Sequence, residues 1–223
     1  MIKPNITHAC LTGMFLFLVV CGAVTSALPQ DAKISEEEFE RVRSTYKAFL
    51  GKEPYRIKHT HETFPSEDAK EPERTSIWMS EFVPPDREHN YYGLNATDMS
   101  RKYERIVIGT RIFTNSAGLW KELDAPNGGM GFASAPSSTV QFDRGSQRLG
   151  DQMTTIYEVV TGSKFARSSG SWQTSYYRAK YWISSDGRIR KYVGESDALI
   201  TKRSRTTEIY EYDPSIKIEA PIK

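Results

Sequence analysis

Three of the chain's four histidines lie beyond residue 27, and two of them, His59 and His61, are separated by a single residue. On an extended strand that spacing puts both imidazoles on one side, about 7 Å apart. A zinc or copper ion could be shared there, with His89, Glu62 or Glu88 completing the donor set. No thiol can join them, because both cysteines, Cys10 and Cys21, fall in the first segment. The competing reading is a solvated strand face, so His59 and His61 stand as subsidiary metal candidates and no cofactor is expected. Nucleophilic chemistry has less support, since there is no Gly-x-Ser-x-Gly elbow. Gly128-Gly129-Met130-Gly131 lacks the Lys-Ser or Lys-Thr of a phosphate loop, and no acidic pair is singled out for glycoside hydrolysis. The residue pattern points to binding, not to an enzyme.

The first segment has an address of its own. Lys3 is followed by an apolar stretch over residues 10–24 and then by Thr25-Ser26-Ala27, which are the basic region, apolar region and small-residue cleavage site of an export signal. The apolar stretch falls short of the roughly 20 residues that span a bilayer. Residues 1–27 are therefore expected to be a cleaved signal peptide and residues 28–223 a single domain, in the periplasm or outside the cell. Cleavage removes both cysteines, so the fold must hold without disulfides. In a second option, Leu18-Val19-Val20-Cys21-Gly22 acts as a lipobox and a lipidated Cys21 tethers the chain to a membrane, although Val20 stands where such boxes carry a small residue.

A formal net charge of +2 lacks the electrostatic footprint of a nucleic-acid binder. The clusters Arg188-Ile189-Arg190-Lys191 and Lys202-Arg203-Ser204-Arg205 sit in alternating sequence. Solvated strand faces account for them, with anionic lipid headgroups as the other reading.

The elements that must position any site follow from periodicity. Ser35 with Glu38 forms a capping box, and Ile34 with Phe39 a hydrophobic staple. Phe39, Val42, Tyr46, Phe49 and Leu50 then follow helical spacing, with Gly51 placed to end the helix. From Tyr55 onward the period is near two, predicting strands over 55–62, 76–82, 88–94, 102–108, 110–114, 119–123, 154–160, 172–183, 188–193 and 203–212, with an extended end over 216–220. Asn115-Ser116-Ala117-Gly118 and Ser184-Ser185-Asp186-Gly187 read as hairpin turns. Residues 124–138, rich in Gly, Ser, Ala and Pro, read as a long loop able to serve as a lid. Short turns exclude parallel crossovers. The predicted class is α+β: one large curved antiparallel sheet of about nine to eleven strands, with the N-terminal amphipathic helix and the lid loop on its concave face.

Aromatic residues crowd these strands, and they suit a pocket for an acyl chain or another apolar ligand. The leading helix, Glu104-Arg105-Ile106-Val107-Ile108-Gly109, Arg111-Ile112-Phe113, Gly118-Leu119-Trp120, Tyr181-Trp182-Ile183 before Asp186-Gly187, and the closing Ile209-Tyr210-Glu211-Tyr212-Asp213 together resemble the LolA-like group of exported lipoprotein and lipid carriers, including the mycobacterial LppX-like lipoproteins. The resemblance implies a half-barrel of eleven strands whose apolar cavity carries lipids or lipoprotein acyl chains without chemistry of its own. This chain departs from that group in showing one clear helix where the carriers have several; residues 124–150 would have to supply the rest of the lid. The expected binding residues are Trp78, Phe82, Ile108, Phe113, Trp120, Met130, Phe132, Tyr157, Tyr181 and Trp182. Expected partners are acyl chains of lipids or lipoproteins, with envelope membrane proteins beside them and the chain itself monomeric. The alternatives are an envelope stress sensor or assembly factor that grips a protein with the same sheet, and a metal-dependent extracellular enzyme built on His59 and His61.

Overall fold

A computed structural model describes residues 32–92, 103–116, 118–123, 137–166, 172–197 and 202–222. It contains β1 (Ala32–Ile34), α1 (Glu36–Leu50), β2 (Tyr55–Thr63), β3 (Arg74–Val83), β4 (Arg87–Tyr92), β5 (Tyr103–Ile108), β6 (Arg111–Ser116), β7 (Leu119–Leu123), β8 (Ser137–Leu149), β9 (Gln152–Ala166), β10 (Trp172–Ser184), β11 (Ile189–Ser196) and β12 (Ser204–Tyr212). All strands join one open, curved antiparallel sheet of 12 strands in the order β1-β8-β9-β10-β11-β12-β2-β3-β4-β5-β6-β7. Residues 1–27, expected to be a signal peptide, with Cys21 among them, and residues 124–136 lie outside the described residues.

The helix begins as its sequence dictates. The Ser35 side chain accepts from the Glu38 backbone N–H at 3.1 Å, and Glu36, Glu37 and Glu38 occupy the first turn, where negative charge opposes the helix dipole. Ile34 and Phe39, the two staple positions, are both buried. Gly51 ends the helix at φ −83°, so it caps in the right-handed region and not in the left-handed one. Its N–H bonds the Lys47 carbonyl at 3.0 Å.

Two strands escaped the periodicity. β1 lies in the short stretch ahead of the helix and pairs with β8. β8 itself occupies residues assigned to the lid, whose expected span over 124–150 is corrected: Ser137–Leu149 is a strand paired with β9. Its polar composition and Gly145 hide the alternation. Register slips between Asp143 and Ser146, where Gly145 adopts φ 79° and donates its N–H to Asp143 Oδ1 at 2.7 Å. A bulge of this kind reverses parity along the strand.

The two faces are covered by different ends of the chain. On one, α1 lays Tyr46, Val42 and Leu50 over Ile183, Ile189, Tyr157, Tyr181, Tyr192 and Tyr210. On the other, the irregular tail after β12 presses Ile216 and Ile218 onto Ile106 and Phe113, with Val83, Ile108 and Trp120 around them. Arg87 Nη1 pins this strap by donating to the Ile218 carbonyl at 2.6 Å.

Candidate ligand-binding face

Antiparallel register allows the helix-bearing face to be read residue by residue. One row of cross-strand neighbours runs Tyr157, Tyr181, Tyr192, Glu208, His59, Trp78, Tyr92 and Tyr103. Phe39 of the helix meets the Tyr181 ring edge-on at 5.6 Å, and Tyr46 stacks on the same ring at 6.0 Å. Beside the row, the hydroxyls of Tyr177 and Tyr192 meet above Gly194, where a Cβ would strike both. Burial pushes the hydroxyls of Tyr181, Tyr192 and Tyr210 far up from their ordinary value, so all three stay neutral.

The row continues past the residues that the helix touches. Trp78 lies parallel to the His59 ring at 4.7 Å. Tyr92 and Tyr103 are 37% and 40% exposed with their rings 5.6 Å apart. Where α1 ends, Leu50, Gly51, Tyr55, Phe82, Pro84, Pro85 and Arg87 line a cleft of about 330 Å³. That volume is at the lower end of the range for small-molecule sites. Tyr55 and Phe82 stack at 4.7 Å on its wall, and burial raises the Tyr55 hydroxyl to about 12.

Among the aromatics of this face runs a polar thread that no motif within a single strand announces. The Tyr210 hydroxyl donates to Glu208 Oε2 at 2.6 Å. Glu208 Oε1 lies 3.3 Å from His59 Nδ1, at ion-pair distance but without hydrogen-bond alignment. His59 Nε2 reaches Ser80 Oγ at 3.0 Å, and that hydroxyl donates to Asn90 Oδ1 at 2.6 Å. Asn90 Nδ2 in turn donates to Glu88. Burial pushes the Glu208 carboxyl up, but contacts with His59 and Tyr210 more than reverse this and leave it below its ordinary value.

Glu208, His59 and Ser80 stand in the order of a carboxylate-imidazole-hydroxyl relay, so their chemistry needs testing against geometry. Ser80 is 3% exposed, and its proton is committed to Asn90, not to the imidazole. β3 is paired on both sides, with β2 and β4, which engages the backbone N–H groups that an oxyanion hole would use. The arrangement gives the buried Ser80 hydroxyl and Asn90 amide their partners and holds the His59 ring against Trp78; it does not present a nucleophile.

The expected binding residues divide by strand parity. Trp78, Phe82, Tyr157 and Tyr181 share the helix-bearing face. Ile108, Phe113, Trp120 and Trp182 lie on the opposite one: the first three surround or join the cluster under the strap, and the Trp182 indole donates to Gln147 Oε1 at 2.8 Å beneath Lys191 Nζ, 4.8 Å from its ring. Met130 and Phe132 lie outside the described residues. Alternation alone could not separate these sets, because it shows that a strand has two faces and not which face the helix covers.

The histidines divide in the same way. His59 and His61 share a face as their spacing requires, but His61 Nδ1 is taken by Thr206 Oγ1 at 3.0 Å. His89 is on the other face, 2.9 Å from Glu104 Oε2, and cannot complete their set. Among the described residues no three His, Asp or Glu side chains converge on a point that could hold a metal ion.

Neither a protein-family model nor a curated protein matches the chain. Among solved structures it is similar to LprF from Mycobacterium bovis, at 11% identity over 85% of this chain and 99% of that one, with a TM-score of 0.47. It is also similar to the lipoprotein LppX of Mycobacterium tuberculosis, at 10% identity over 83% and 100%, TM-score 0.45, and to a LolA superfamily protein of Nitrosomonas europaea, at 8% identity over 76% and 91%, TM-score 0.32. The likeness is one of fold.

Proposed function

We propose that this chain is an exported binding protein that holds a lipid, an acyl chain or a lipidated partner on the helix-bearing face of its sheet and carries out no chemistry on it. The observation that carries this reading is the aromatic row itself. It begins under α1, where Phe39 and Tyr46 pack on it, and continues to Trp78, Tyr92 and Tyr103, leaving aromatic surface partly exposed beside the Tyr55–Phe82 cleft. Aromatic surface in a concavity, with a few fixed polar groups beneath, is the usual make-up of a small-molecule site. The export reading is supported by the basic, apolar and small-residue regions of residues 1–27, and cargo held in this way would be shielded from water in an aqueous compartment. Of the expected residues, Trp78, Phe82, Tyr157 and Tyr181 form the proposed site.

The test is to purify the mature chain, extract it with organic solvent and identify co-purified lipids by mass spectrometry, then titrate the delipidated protein with a fluorescent fatty acid. Stoichiometric lipid and saturable binding are expected. Absence of both would sink the proposal.

A further inference from the structure

The face away from the helix is dressed differently over β9 to β12 and β2. Strand alternation puts Lys164, Arg178, Lys180, Lys191 and Lys58 on this side, in register with Thr174, Val160, Glu158, Trp182 and Ile209 respectively. Lys58, Lys164, Arg178 and Lys180 are exposed. The carboxylates nearby are already engaged. Glu158, 2% exposed, is held by Arg144 and reaches Lys180 only at 3.9 Å. Glu195 and Glu62 lie 2.6 and 3.7 Å from Arg205, and Glu81 and Glu211 lie 2.6 and 3.5 Å from Arg56.

The cations are interleaved with apolar side chains. Ile209, 41% exposed, sits between Lys191 and Lys58, and Met79 is the next neighbour of Lys58 in the row. The C-terminal strap covers Ile106 and Phe113 on the other half of this face. With strands about 4.8 Å apart, β10 to β2 spans roughly 15 Å, so Arg178, Lys180, Lys191 and Lys58 share one broad patch.

We propose that this patch docks the protein on an anionic membrane surface. The sheet presents its charges as a broad array, with Ile209 and Met79 between them for the headgroup boundary. Four of the five cations are lysines, point charges on flexible stems that suit a fluid array of headgroups better than the fixed, bidentate geometry a protein carboxylate would select through arginine. Because the patch and the aromatic row lie on opposite sides of one sheet, docking leaves the cargo face uncovered. The proposal does not depend on what that face holds.

Flotation with lipid vesicles tests it. The mature chain is expected to bind phosphatidylcholine vesicles containing about one-third phosphatidylglycerol, to ignore pure phosphatidylcholine, and to release at high salt. Each lysine near an anionic surface is worth about fivefold in partitioning, so the triple variant Lys58→Gln, Lys180→Gln, Lys191→Gln should bind about 100-fold more weakly. A control triple with the same loss of charge elsewhere, Lys47→Gln, Lys52→Gln, Lys121→Gln, should stay within about threefold. Circular dichroism checks that both triples fold, and fatty-acid titration of both should match the unmodified chain. The proposal is overturned by a failure to float with anionic vesicles, even if an envelope protein is captured instead. Equal binding to neutral vesicles, or equal weakening by the two triples, overturns it as well.

Discussion

Replacing Trp78 by alanine removes the indole at the point where the aromatic row leaves the helix. A tryptophan offers up to about 250 Å², and Trp78 is only partly buried, being stacked on His59, which leaves roughly 80 Å² for a ligand to cover. At about 25 cal/mol per Å² that is ~2 kcal/mol, or about 30-fold in affinity. Truncating a fully buried tryptophan costs about 3–5 kcal/mol. Burial of about two-thirds of the side chain brings the folding cost nearer ~2–3 kcal/mol, a fall of about 8 °C in Tm for a domain of this size, so the variant stays folded and the binding defect can be read. Titration with a fatty acid carrying a nitroxide on its chain reports position as well as affinity, because the label quenches only nearby indoles. Of the described indoles, Trp78 is on the helix-bearing face while Trp120 and Trp182 are across the sheet. Quenching should vanish in Trp78→Ala and persist in Trp182→Phe. If Trp78→Ala binds within about threefold of the unmodified chain, or if Trp182→Phe is the variant that abolishes quenching, the ligand does not occupy this face.

Ser80→Ala cuts the polar thread at its middle, leaving His59 Nε2 and Asn90 Oδ1, in residues 8% and 4% exposed, without their partner. Urea unfolding should show a loss of about 1–3 kcal/mol, and an unchanged midpoint would mean that water replaces the hydroxyl freely. Asp186 gives a pH signature. Partial burial pushes its carboxyl up, but Ser184, the Arg188 backbone and side chain, and Arg190 together bring it from 3.8 to about 2. The unfolded chain therefore takes up this proton at a higher pH than the folded one, so the contribution is full above about pH 4 and is lost as pH falls toward 2. Thermal melts across that window should fall less steeply for Asp186→Asn than for the unmodified chain; identical slopes would contradict the assignment.

Most elements were legible in the sequence because their signals are local. The Ser35 cap and the turns at Gly118 and Gly187, both at φ 85°, are dictated by a few adjacent residues, and the hairpins follow from them. β8 was not legible, because its bulge at Gly145 breaks the alternation and its polar residues mimic a loop. Nor was the division of the candidate site. Trp78 and Phe82 share one parity and Trp182 the other only once the helix is placed on the sheet. Bulges, such as the one between Trp182 and Ile183, change parity along a single strand. The thread from Tyr210 to Glu88 joins β12, β2, β3 and β4, and no spacing within any one strand announces it.

The strand order also bears on how the chain reaches this state. The sheet is two meanders, β2 to β7 and β8 to β12, zipped together only where β12 meets β2, with Tyr212 opposite Tyr55. Pairings between strands so distant in sequence pay a large loop-closure cost and form late. A chain that emerges N-terminus first must therefore carry its first meander with β2 as an open edge until the last strand has appeared, and open edges invite pairing with other chains. Glu208 and His59 face each other across that seam. Weakening their contact should slow the closing step more than it weakens either meander, and the period of exposure, more than the final stability, would set the yield of folded protein.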